Sequence, residues 1–115
     1  MNTQSLEQLT TSGCTACEGG VSPIQGEEAQ EQLAVLEQWR LSDDGKSIHR
    51  EWKKKDFLAA LSFATQIGDL AEAEGHHPDL HLTKYRLLRV VLTTHAIDGL
   101  SLNDFILAAK IDQLA

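Results

Sequence analysis

The sequence predicts an α+β domain in which helices pack on an antiparallel sheet. Apolar residues recur with a helical period over about 57–74 and again from about 102. Between and before these stretches, apolar and polar residues alternate with period two, as they do in strands. The alternating segments also come in adjacent pairs. That order is helix, hairpin, helix, two strands, helix, and it lacks the βαβ alternation of a parallel sheet.

Residues 1–22, rich in Thr, Ser, Gly and Gln, are expected to form a flexible leader. A single domain is expected over 23–115, beginning after Ser22-Pro23. "GEEAQEQLAVLEQW" predicts a first helix near 26–38, with acids in the opening turn where the helix dipole favours them. "WRLSDDGKSIHREW" predicts a hairpin around Asp43-Asp44-Gly45, because glycine supplies the positive φ of a tight turn. Ile48, Arg50 and Trp52 would share one face of its second strand, and His49 and Glu51 the other.

Asp56 is placed to cap the helix over 57–74. Phe57, Ala60, Leu61, Ala64, Ile67 and Ala71 form its apolar stripe, broadened by Phe63 and Leu70. Gly75 can end that helix in a left-handed conformation, and Pro78 forbids continuation. "DLHLTKY" and "RLLRVVLTTH" follow as strands, with Leu88, Val90 and Leu92 on one face and His95 at the end of the more polar face. Ser101-x-x-Asp104 resembles a capping box, with Asp in place of the usual Glu or Gln. The last helix has two apolar stripes, one of Leu102, Phe105, Ile106 and Ala109, the other of Leu107, Ile111 and Leu114. Two stripes suggest more surface than one sheet face can cover, and hence self-association.

Seventeen acids against ten basic residues give a net charge of -7. Such a surface repels phosphate backbones, so no nucleic-acid partner is expected. No apolar stretch is long enough to span a bilayer, so no membrane role is expected. The stretch "MNTQSLEQLTTSGC" has neither a basic n-region nor an apolar h-region, which makes the cytoplasm the expected location. Cys14-x-x-Cys17 lacks the second pair that a structural zinc site needs, and it precedes no predicted strand–helix unit. A tail feature is therefore expected there, with metal or redox use as the other readings.

The densest chemistry lies in "AEAEGHHPDLHLTKY", residues 71–85. His77 and His81 have helical ligand spacing, but Pro78 breaks the helix between them. Adjacent His76 and His77 diverge on any regular backbone, so they are poorly placed to chelate one ion. A metal site from His76, His95 and a carboxylate stays open as an alternative, which would make the protein a metal-dependent hydrolase. Acid–base chemistry suits the pattern better. Imidazole titrates near neutrality, and two divergent histidines can line two walls of a pocket. Glu72, one turn before His76, is a candidate to orient it. His81 alternates with Leu80 and Leu82 as an outward strand residue should. Asp104 can cap its helix and still face a pocket.

Three separated pieces together resemble the pterin-4a-carbinolamine dehydratase family. They are His76-His77-Pro78, Thr94-His95, and Gly99-Leu100-Ser101-x-x-Asp104 opening the last helix. The resemblance covers about residues 72–112, and the leader with its two cysteines looks like that of bacterial members. It implies a four-stranded antiparallel sheet with three helices packed on one face, assembled as a homodimer or homotetramer. It also implies an enzyme that dehydrates 4a-hydroxytetrahydrobiopterin, or a related pterin, to the quinonoid dihydropterin. Such an enzyme recycles the cofactor of aromatic amino-acid hydroxylases and needs no metal or organic cofactor of its own.

By position, the resemblance assigns His76, His77 and His95 as catalytic acid–base residues. Glu72, Pro78, Thr94 and Asp104 become substrate-binding or supporting residues. An extra residue near Tyr85-Arg86 departs from the family's commonest spacing, and a β-bulge is expected to absorb it. Leu80 stands where many relatives carry an aromatic. Some relatives resemble coactivators or assembly factors, so a non-enzymatic dimerising scaffold on the same fold is the alternative function.

Overall fold

The structure is a computed structural model that describes residues 3–15 and 22–115. Its helices are α1 (Leu6–Thr11), α2 (Glu27–Leu33), α3 (Phe57–Glu74) and α4 (Leu102–Leu114). Its strands are β1 (Arg40–Leu41), β2 (Ile48–Lys53), β3 (Asp79–Thr83) and β4 (Leu87–Leu92), and a 3₁₀ turn spans His95–Ile97. The four strands form one antiparallel sheet in the order β1-β2-β4-β3. The expected α+β class, with a four-stranded antiparallel sheet and helices, is what the structure shows.

Strand alternation decides which face the helices cover. Leu88, Val90 and Leu92 of β4 and Ile48 and Trp52 of β2 are buried, and β4 pairs with β2 through Trp52↔Leu88 and Ile48↔Leu92. On α3 the buried residues are Ala60, Phe63, Ile67 and Ala71. The expected stripe was rotated too far, because its members Phe57 and Leu61 remain exposed at the helix's N-terminal end. Phe63 meets Trp52 edge to face with ring centroids 5.0 Å apart, and Trp52 meets Trp39 at 5.8 Å. This aromatic contact ties α3 to the hairpin.

Three expectations need correction. The first helix was drawn over 26–38, but α2 ends at Leu33. Beyond it, Ala34, Val35, Leu36 and Trp39 each donate to the carbonyl three residues back. These tighter turns carry Leu36 and Trp39 into the core. Second, no bulge interrupts β3 or β4, whose register runs evenly from Asp79↔Val91 to Thr83↔Leu87. The chain turns between them in a short loop, where Lys84 and Tyr85 adopt left-handed φ of 48° and 55°.

Third, residues 3–15 are not a loose leader. Ser5 and Gln8 form a capping box that starts α1, and Leu9 is fully buried. α1 packs on α4, which is buried continuously from Asn103 to Ala109 and again at Ile111. A fourth helix thus covers surface that the two-stripe pattern had suggested a second copy would cover. Cys17 lies outside the described residues. Among the described residues, no helix is long and apolar enough to cross a membrane.

Candidate active site

Four chain segments converge at one end of the sheet. The first is the stop of α3. Gly75 takes a left-handed conformation, φ 69° and ψ 25°, which a side chain would resist. The His76 N–H donates to the Ala71 carbonyl at 3.3 Å, the bond that closes a Schellman stop. The chain then leaves the helix axis, and His76 and His77 point to different surroundings. His76 is 11% exposed, whereas His77 is 60% exposed.

The second segment is the end of β4. Thr94 is buried and His95 is exposed at the start of the 3₁₀ turn. The Thr94 N–H donates to the Gly99 carbonyl at 2.8 Å, closing a small loop that presents His95. Gly99 is required for close approach, because a Cβ there would lie 2.8 Å from Pro23 Cβ. That approach lets Ile24 bridge Leu100 and anchors the chain just before the third segment.

The third segment is the first turn of α4, and Asp104 is its centre. Asp104 is fully buried yet accepts from two directions. Its Oδ2 takes the Ser101 N–H at 3.0 Å and the Thr94 hydroxyl at 2.8 Å. Its Oδ1 lies 2.6 Å from His76 Nε2. An ionised carboxylate can only accept, so this contact requires a proton on Nε2. In neutral His76 that leaves Nδ1 with the free lone pair.

The fourth segment is residues 13–15, where Thr15 is held by the Asn103 side chain. His76, His77, Thr93, Thr94, His95, Asn103 and Thr15 together line a cleft of about 250 Å³. A groove of about 690 Å³ elsewhere, between α1, residues 35–38 and α4, carries carboxylates but no histidine. Of these two, the smaller cleft holds the histidines.

The sequence-predicted residues fall into place unevenly. His76, His77 and His95 meet in the cleft, Thr94 and Asp104 support it from beneath, and Pro78 sets the exit from the turn into β3. Glu72 does not orient His76. It is exposed, and its Oε1 lies 3.4 Å from His77 Nε2 instead. The left-handed step at Gly75 breaks the helical i, i+4 relation on which the Glu72–His76 pairing depended. His81 is exposed on edge strand β3. Among the described residues, no three His, Cys, Asp or Glu side chains are grouped to hold a metal ion.

Sequence reasoning did not find Asn103 or Thr15. Asn103 is a polar residue buried at the N-terminal end of an apolar helix, which is itself a signal, since a buried amide needs partners. Just behind it, the Cys14 N–H donates to Glu74 Oε1 at 2.8 Å, and Lys110 Nζ lies 2.7 Å from Glu74 Oε2. Lys110 and the Cys14 amide hold the Glu74 carboxyl below its usual range. Burial, reinforced by the Glu74 charge, pushes the Cys14 thiol up to about 12. A protonated thiol is a poor nucleophile and a poor metal ligand.

The chain is similar to known proteins along most of its length. The family model described as pterin 4 alpha carbinolamine dehydratase matches residues 22–114. The chain belongs to the pterin-4-alpha-carbinolamine dehydratase family. A member from Methylococcus capsulatus, provisionally named as such a dehydratase, is 45% identical over 107 residues, covering 93% of each chain. The Arabidopsis thaliana protein named pterin-4-alpha-carbinolamine dehydratase 2, mitochondrial, is 42% identical over 96% of this chain and 60% of its own. A crystal structure from Brucella melitensis, described as a transcriptional coactivator/pterin dehydratase, superposes with a TM-score of 0.76 at 32% identity. It covers 82% of this chain and 99% of its own. The span of this chain matched by the family model contains His76, His77, His95 and Asp104.

Proposed function

We propose that the protein is a cytoplasmic hydro-lyase that converts a 4a-hydroxytetrahydropterin to the quinonoid dihydropterin and water. The observation that carries this reading is the His76–Asp104 pair, 2.6 Å apart, in a cleft shared with His77 and His95. The reaction needs two proton transfers. The N5–H proton goes to a base, the N5 lone pair forms the N5=C4a bond, and the C4a–O bond breaks. The departing hydroxyl takes a proton and leaves as water. No oxidant or reductant is consumed.

His76 suits the base, because Asp104 holds the Nε2 proton and leaves Nδ1 free to accept. His95 and His77 are exposed, and either can return a proton to the hydroxyl oxygen. Buried Asp104 then compensates the imidazolium that forms, as a carboxylate does for a catalytic histidine elsewhere.

The test is dehydration of 4a-hydroxytetrahydropterin by the purified protein and by His76→Ala and His95→Ala variants. Each variant is expected to lose roughly a hundredfold or more in kcat. Unchanged turnover in both would overturn the reading. A stoichiometric protein complex indifferent to those changes would support the scaffold function instead.

A further inference from the structure

The family match begins at residue 22, yet Thr15 lines the histidine cleft. Asn103 holds it there through both halves of its amide. Nδ2 donates to the Thr15 carbonyl at 2.6 Å, and Oδ1 accepts the Thr15 N–H at 3.0 Å. A buried amide is costly unless satisfied, and here one residue's backbone satisfies both its ends. Only Asn has the length and the donor–acceptor pair for this, since Asp lacks the donor and Leu lacks both. The Cys14–Glu74–Lys110 chain fixes the neighbouring residue to α3 and α4. One turn of α4 therefore sets His76 through Asp104 and, one residue earlier, sets the opposing segment through Asn103.

We propose that Asn103 is a positioning residue that clamps residues 13–15 as a specificity wall of the cleft, limiting the size of the substituent on an incoming pterin ring. This rests on the pterin reading above. With its N–H and carbonyl engaged by Asn103, Thr15 discriminates by shape. A cleft of about 250 Å³ is small beside the roughly 300–1,000 Å³ usual for organic ligands, so a displaced wall changes what fits.

The experiment compares kcat/KM for two 4a-hydroxytetrahydropterins, one bearing a dihydroxypropyl side chain and one a methyl group. Wild type, Asn103→Ala, Asn103→Asp and Thr15→Gly are measured in parallel, with amide hydrogen exchange at Thr15 as a second readout. Thr15 is exposed, so its substitution tests the wall even if the Asn103 variants fold poorly. All three variants are expected to shift preference toward the bulkier substrate by roughly three- to tenfold, mainly through KM. Exchange at Thr15 should accelerate in Asn103→Ala, which removes the acceptor of its N–H, and change less in Asn103→Asp, which keeps that acceptor and loses only the bond to the Thr15 carbonyl. Preference unchanged, or moved toward the methyl pterin, overturns the wall while leaving the dehydratase reading intact. A wild-type protein that turns over neither substrate overturns both.

Discussion

Replacing Asp104 with Asn isolates the proposed catalytic use of this carboxylate from its structural use. The amide oxygen can face Thr94 and Ser101, keeping both bonds that Oδ2 accepts. The NH₂ group then faces His76 Nε2, where the oxygen had been 2.6 Å away. Two donors cannot share that contact, so His76 must move its proton to Nδ1 and lose the lone pair proposed as the base. Three charge-assisted bonds become neutral ones or are rearranged, at about 1 kcal/mol each, or roughly 3 kcal/mol in all. A domain with about 5–15 kcal/mol of stability survives that loss. Asp104→Ala is the less useful variant, because it strands the Ser101 N–H in the core and leaves His76 Nε2 without its partner.

Catalysis should fall much further than stability. The same carboxylate-to-amide change in a Ser-His-Asp triad costs about 10⁴ in kcat by forcing the wrong tautomer, and a loss of about 10²–10⁴ is expected here. The assay is single-turnover dehydration together with ¹⁵N NMR of the His76 ring. If the tautomer switches but kcat stays within threefold of wild type, His76 is not the base. An unswitched tautomer would refute the hydrogen-bond assignment itself.

Two further outcomes follow from the N-terminal attachment. A thiol moved from 9.0 to about 12 has roughly a thousandth of its ordinary thiolate at pH 8. In a Cys17→Ser variant, native Cys14 should therefore be alkylated far more slowly than the urea-unfolded chain, and equal rates would contradict its buried, acid-flanked setting. Glu74 has its folded-state pKa lowered from 4.5, so its stabilising effect is present above that value and fades as pH falls through the folded pKa. The stability deficit of Glu74→Gln, followed by urea unfolding, should be full at pH 7 and shrink below about pH 4.5. A deficit independent of pH would mean the Lys110 contact contributes nothing electrostatic.

The parts of the fold that were legible in the sequence depend on local physics. Gly75 and Pro78 mark the stop of α3, the alternation of β4 names its buried face, and Ser101-x-x-Asp104 marks the start of α4. Each rule acts within a few residues. The rotated stripe of α3 shows where such rules fail, because periodicity places apolar residues together but tertiary packing selects which of them are buried. α1 was hidden for another reason. Its Ser5-x-x-Gln8 capping box and Leu9 were visible, but the Thr, Ser and Gly around them read as a flexible leader. A six-residue helix has little stability alone, and it is held by packing on α4 and by the Gln32 side chain, which bonds both the N–H and the carbonyl of Gln4.

The site was legible as a set of residues and illegible as a set of partners. His76 and Asp104 are 28 residues apart, and Asn103 and Thr15 are 88 apart. Sequence spacing suggested Glu72 for His76 because a helix places i and i+4 together, but Gly75 ends that relation one residue before His76. The consequence is chemical as well as geometric. An exposed Glu72 beside His76 would leave that ring's orientation to a solvated contact, whereas Asp104 is held by two donors before His76 reaches it. Asp at this position also explains the departure from the usual Glu or Gln of a capping box. One carboxylate oxygen closes the helix end while the other is left over for an imidazole. The helix cap and the hold on the proposed base are thus two sides of one buried carboxylate, which is why a motif that looks structural lies within the candidate site.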